Sequence, residues 1–96
     1  TGLHMSIFTI PARATTESVN RALSNANLNL SVCEDPYNNH NYTISCDINN
    51  GGASTDLAKT RCDTAREVAE YINENAESLE RRARYWGSSI YPMHDD

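Results

Sequence analysis

DTAREVAEYINENAESLERRARYW, residues 63–86, is the stretch around which the rest of the chain must be arranged. Its apolar or small residues, Ala65, Ala69, Ile72, Ala76, Leu79, Ala83 and Trp86, alternate at spacings of four and three. That spacing puts all of them on one seam of an α-helix. Thr64 with Glu67 has the pattern of a capping box ahead of the seam, and Gly87 supplies a stop after it. The spacing therefore predicts one long C-terminal helix, whose seam the remaining residues must cover.

The charges of this stretch are ordered. Glu67, Glu70, Glu74 and Glu77 recur three and four apart on the side away from the seam, and Arg81, Arg82 and Arg84 follow in the last turns. Acid first and base last complements the helix dipole, and Glu77 with Arg81 and Glu80 with Arg84 are correctly oriented i,i+4 pairs. A solvated helix face accounts for the pattern. So does a row of carboxylates that imitates phosphates and docks on a basic nucleic-acid-binding surface. Repulsion between neighbouring glutamates costs only about 0.2–0.5 kcal/mol per pair, too little to require either.

Working outward, Leu3-His4-Met5 reads as the end of an expression tag followed by an initiator methionine, which sets residues 1–4 aside from a single domain over 5–96. Ser6 to Ala12 is β-rich and ends at Pro11, so it reads as a first, edge strand. Thr15-Thr16-Glu17 opens a short helix with Val19, Ala22, Leu23 and Ala26 on its apolar face and Asn20, Arg21 and Ser24 on its solvated side; residues 25–27 stop it. Leu28, Leu30 and Val32 alternate with polar residues, as do Tyr42, Ile44, Cys46 and Ile48, and residues 34–41 between them are turn chemistry. That is an antiparallel hairpin with one apolar face, on which Cys33 and Cys46 point to opposite sides. Asn49-Asn50-Gly51-Gly52 makes the next turn. Ser54 to Thr60 reads as a third partner strand with Thr55, Leu57 and Lys59 on one side, or as a backward extension of the helix. The strand is favoured because Asp63 and Thr64 are poor mid-helix residues and good caps. The extension would make a helix of about 33 residues and about 50 Å, and a dimer to cover it. The fold class is α+β: a small antiparallel sheet of three to four strands, one short helix, one long C-terminal helix and a tail from about residue 87.

The 13 acidic and 8 basic side chains leave a formal charge of −5, and Lys59 is the only lysine. Direct nucleic-acid binding needs clustered Lys and Arg, so this balance disfavours it and suits a protein partner with a basic surface. No apolar run approaches a membrane span and no secretory signal follows Met5, so the expected setting is the cytosol. Cys33, Cys46 and Cys62 are odd in number and widely spaced, which favours reduced thiols over a disulfide framework or a zinc site. Asn29-Leu30-Ser31 and Asn41-Tyr42-Thr43 match glycosylation sequons by chance in an asparagine-rich chain. The thiols with His40 or His94 form no catalytic motif, and the helix carboxylates lack the burial that general acid work requires, so no catalytic residue and no cofactor is assigned. Ile90, Tyr91 and Met93 are apolar enough for the tail to fold back on the body of the protein. Left outward, Tyr85, Trp86, Tyr91 and Met93 would form an aromatic cluster of the residue types that dominate binding hot spots.

A hairpin, a third strand and then Asp63-Thr64-Ala65-Arg66-Glu67-Val68-Ala69 opening a helix resembles the three-stranded-sheet-plus-helix modules of AP2-type and integrase arm-binding DNA readers, over about Leu28 to Trp86. The resemblance implies DNA contact through the sheet face, which here offers Asn29, Ser31, Cys33, Thr43, Ser45 and Asp47 where those modules carry basic and aromatic residues. In size, charge and general architecture the chain is similar to small phage-encoded anti-CRISPR inhibitors. That similarity implies a non-enzymatic DNA mimic whose Glu67–Glu77 stripe, with Tyr85, Trp86 and Tyr91, engages a basic surface of a CRISPR effector complex in a bacterial host. A homodimer formed through the alanine-rich seam is the other binding reading.

Overall fold

A computed structural model of the chain describes residues 6–48 and 52–92. The readings of residues 1–5 as a tag remnant and start, of residues 49–51 in the second turn, and of Met93 and His94 in the tail lie outside these residues.

The element order is α1 (Thr16–Asn25), β1 (Ser31–Glu34), β2 (Asn41–Asp47), β3 (Ser54–Arg61), α2 (Ala65–Glu74) and α3 (Ala76–Tyr85). The strands form an antiparallel meander in the order β1-β2-β3. Alternation decides the faces. Val32, Tyr42, Ile44 and Cys46 point inward and are buried, while Ser31, Cys33 and Asp47 point outward, so Cys33 and Cys46 do lie on opposite faces.

Ser54–Arg61 is the strand and not a helix extension, but its faces are not those the alternation implies. A bulge opposite Ile44 and Ser45 leaves Leu57 without a partner in the register, so Leu57 and Ala58 are both buried and the alternation changes phase. Lys59, expected beside Leu57, therefore faces out with Asp56 and Arg61. The Leu57 carbonyl at the bulge accepts a 2.7 Å hydrogen bond from Arg82 Nη1 on α3.

The helix starts and stops follow local chemistry. At α1 the Thr15 hydroxyl accepts from the Ser18 N–H at 3.0 Å and the Ser18 hydroxyl accepts from the Thr15 N–H at 2.8 Å. The α2 capping box is the one read from Thr64 and Glu67. Both α1 and α3 end in Schellman motifs. Leu28 N–H donates to the Leu23 carbonyl and Asn27 N–H to Ser24, with Asn27 at φ +60°; Ser88 N–H donates to Ala83 and Gly87 N–H to Arg84, with Gly87 at φ +75°.

Two expectations are overturned. The long C-terminal helix is two helices of ten residues each, broken at Asn75, which sits at φ −113° and ψ 22°. The Asn75 side-chain amide donates to the Tyr71 carbonyl at 2.9 Å, the same oxygen that its own backbone N–H uses, so a side chain intrudes into the helical ladder. Trp86 consequently leaves the seam. It becomes the C-cap of α3 and is 48% exposed, while Val68 and Asn73 join the buried face.

The second correction concerns Ser6 to Ala12, which pairs with no strand and forms an irregular arm that packs Ile7, Phe8 and Ile10 on the core. A helix residue takes the place of a ladder partner. Asn73 Oδ1 accepts from Ile7 N–H at 2.8 Å and Phe8 N–H at 3.3 Å, and its Nδ2 donates to the Phe8 carbonyl at 3.3 Å. Asn20, read as solvated, does the same for the free edge of β1, with its amide accepting from Val32 N–H at 2.7 Å and donating to the Val32 carbonyl at 2.8 Å. The alanine seam is used inside the chain: Ala65, Ala69, Ile72, Ala76, Leu79 and Ala83 are all buried.

Candidate protein-binding surface

The sequence brought forward seven residues for partner contact, and the structure separates them into three places. Glu67, Glu70 and Glu74 lie along α2 and, with Asp63, Tyr71, Cys62, Thr60 and Arg61, line a shallow concavity of about 460 Å³ between the end of β3 and the helix. Glu77 stands beyond the Asn75 break, on the first turn of α3. All four glutamates are exposed, and they are not equivalent. The Glu67 carboxylate accepts from the Asp63 N–H at 2.7 Å and the Thr64 N–H at 3.3 Å, so it satisfies the start of α2. Glu70, Glu74 and Glu77 make no hydrogen bond or ion pair among the described residues, where the one ion pair is Glu80 with Arg84 at 2.9 Å.

The second place is the end of α3. Tyr85, 82% exposed, meets Trp86 edge to face with ring centroids 5.4 Å apart. Two large rings held against one another in water lose little further side-chain freedom on binding, which is why such pairs serve as anchors. Arg81 and Arg84 are also exposed on this helix. Tyr91 is at a third place, on the segment after Gly87, where it lines an open groove of about 610 Å³ with Leu28, Leu30, Asn29 and Ser89. Burial pushes its phenol above the ordinary range, and the nearby charges of Glu80 and Glu77 add to the shift.

The tail folds back, and the sequence did not reveal what holds it. Ile90 is fully buried, its N–H donates to Glu80 Oε1 at 2.8 Å, and the Ser89 hydroxyl donates to the same carboxylate at 2.9 Å. Burial pushes the Glu80 carboxyl up, but the hydrogen bonds from Ile90, Arg84 and Ser89 outweigh it, and the net position is below the ordinary 4.5. From the other side Asn29 accepts from the Asp47 N–H at 2.9 Å, donates through Nδ2 to the Asp47 and Ser89 carbonyls, and gives its own backbone N–H to the Ile90 carbonyl. Glu80 had been visible only as half of a surface i,i+4 pair, and Asn29 only as part of a sequon.

The thiols are scattered: Cys33 is exposed, Cys46 buried and Cys62 between, and none is bonded to another. Burial raises the Cys46 thiol above its usual range. His40, at φ +75° in the β1–β2 turn, faces the Asp63 carbonyl at 3.2 Å through Nδ1. Among the described residues no three His, Cys, Asp or Glu side chains are grouped to hold a metal ion, and no helix is long and apolar enough to cross a membrane. The outer sheet face carries Ser31, Cys33, Ser45, Asp47, Asp56, Lys59 and Arg61, a mixed polar surface. No protein-family model, curated protein or solved structure matches this chain.

Proposed function

We propose that the chain is a non-enzymatic protein-binding inhibitor of the anti-CRISPR kind, engaging a basic nucleic-acid-binding surface of a bacterial defence effector through the acidic face of α2 and the start of α3. The observation that carries this reading is that Glu70, Glu74 and Glu77 are exposed on neighbouring helical turns and make no hydrogen bond or ion pair among the described residues. Carboxylates that no cation among the described residues pairs with keep their full field, which accelerates encounter with a basic partner and is weakened by salt. The Tyr85–Trp86 pair supplies an apolar anchor on the same helical arm.

The test is direct binding to a purified CRISPR effector complex, with nuclease added and with target DNA as competitor. Binding should weaken as salt rises and be displaced by target DNA. Joint Glu70→Lys, Glu74→Lys and Glu77→Lys substitution should lower affinity by at least about tenfold with an unchanged circular dichroism spectrum. Glu67 is left in place because its loss would uncap α2. Affinity that survives the reversal removes the acidic face as the interface.

A further inference from the structure

The segment that follows Gly87 is held differently from the rest of the protein. Its described residues, 88–92, belong to no β-ladder, and Ile90 among them is fully buried while Tyr91 lines the groove with Leu28 and Leu30. Ser88 and Ser89 lie over β2. The Ser88 hydroxyl donates to the Asp47 carbonyl at 2.8 Å, and Ser89 and Tyr91 line the same groove as Cys46. Cys46 is 2% exposed beneath this cover.

We propose that residues 88–90 form a strap latched by the Glu80 carboxylate, and that it opens as a unit, with the sheet intact, when that carboxylate is protonated. This inference does not depend on the binding reading above. The geometry sets the latch: Glu80 receives the Ile90 N–H at 2.8 Å, the Ser89 hydroxyl and the Arg84 Nε at 2.9 Å, from a side chain only 18% exposed. An ionised carboxylate only accepts and can serve all three donors. A protonated one turns an oxygen toward them as a donor. The remaining ties, from Asn29 and to Asp47, are neutral. The charged and titratable groups that interact with Glu80 are Arg84 on α3, Tyr91 just after the strap and Cys46 on β2; Glu77 also acts on Tyr91, and Asp47 on Cys46. Arg84 is the one cation among them. Because the closed state holds the Glu80 carboxyl below its ordinary range, closure is fully supported above about pH 4.5 and is lost as pH falls through the depressed value.

Thiol labelling of Cys46 reads the latch. In a Cys33→Ser, Cys62→Ser background at pH 7, Glu80→Gln should speed Cys46 modification by about tenfold, because a neutral amide replaces the charge-assisted acceptor of the Ile90, Ser89 and Arg84 donors. Amide exchange at Asn29, whose N–H bonds the Ile90 carbonyl, should rise with it, while exchange at Ile44 in the middle of the sheet stays at the parent value. Cys46 labelling at the parent rate overturns the proposal, as does acceleration matched at Ile44, which means global loosening. The unsubstituted chain gives the same answer by a second route: acidification from pH 7 toward pH 3 should free the Asn29 amide before Ile44. Simultaneous release of the two overturns the latch.

Discussion

Replacing Asn73 by alanine tests whether one helix side chain substitutes for a missing strand. Its amide makes three bonds to the arm: a short one from Ile7 N–H at 2.8 Å and two long ones, each 3.3 Å, with the N–H and carbonyl of Phe8. Losing a partner for a buried backbone group costs about 1–3 kcal/mol. The short bond is partly solvated and the Phe8 pair is weak, so the direct loss should total about 2–3 kcal/mol. Phe8 is 6% exposed, and its burial is worth about 2–3 kcal/mol. If the Asn73 bonds keep Phe8 in place, the two contributions are not independent. Asn73→Ala should cost about 2–3 kcal/mol and Phe8→Ala about 3 kcal/mol, but the double substitution only about 4, a coupling of about 1–2 kcal/mol. Urea denaturation followed by the far-ultraviolet signal measures all four corners of the cycle. The m-value of Asn73→Ala should fall slightly, since an arm already detached exposes less new surface on unfolding. Additivity within about 0.5 kcal/mol, or a cost below that for Asn73→Ala alone, would refute the reasoning.

The caps give two sharper contrasts. Gly87→Ala meets no atom within 4 Å of the added Cβ, so its cost should come only from placing a side chain at φ +75°, about 1–2 kcal/mol by denaturant titration; a neutral result would mean the Schellman turn is not held in solution. Glu67→Ala should cost about 1 kcal/mol because the Asp63 and Thr64 N–H groups lose their acceptor, while Glu70→Ala should stay within about 0.5 kcal/mol. Equal effects would show that Glu67 is only another surface charge.

What was legible in the sequence was short-range. The capping box at Thr64 and Glu67, the stop at Gly87, the alternation of Tyr42, Ile44 and Cys46, and the preference of Ser54–Arg61 for a strand each depend on residues within a few positions of one another. The misreadings share a cause. The break at Asn75 arises from one amide competing for the Tyr71 carbonyl, and a four-three apolar pattern continues straight through it. The arm over residues 6–12 has the composition of a strand. Its partner, though, is Asn73, 65 residues away, and pattern carries no information about such pairs. The bulge that turns Lys59 outward is likewise set by the pairing of β2 with β3 and not by β3 alone. Of the site, the exposed glutamates and the Tyr85–Trp86 pair were visible. The division of the glutamates by the Asn75 break was not.

The richness in asparagine, which looked like turn chemistry, has a structural explanation at three positions. A primary amide presents one acceptor and two donors and so can match a peptide group as a neighbouring strand would. Asn20 does this for Val32, Asn29 for Asp47 and the strap, and Asn73 for Ile7 and Phe8. A sheet of only three strands, β1 among them just four residues long, thereby closes its edge and ties down both flanking segments without further strands. Two carboxylates share that work, Glu67 at the start of α2 and Glu80, on α3, which accepts from residues 89 and 90. Once these polar groups are accounted for, Glu70, Glu74 and Glu77 make no hydrogen bond or ion pair among the described residues, and they contribute three of the 13 acidic charges behind the formal −5. The charge reversal is therefore directed at these three residues and not at Glu67 or Glu80, whose carboxylates accept hydrogen bonds that hold the fold.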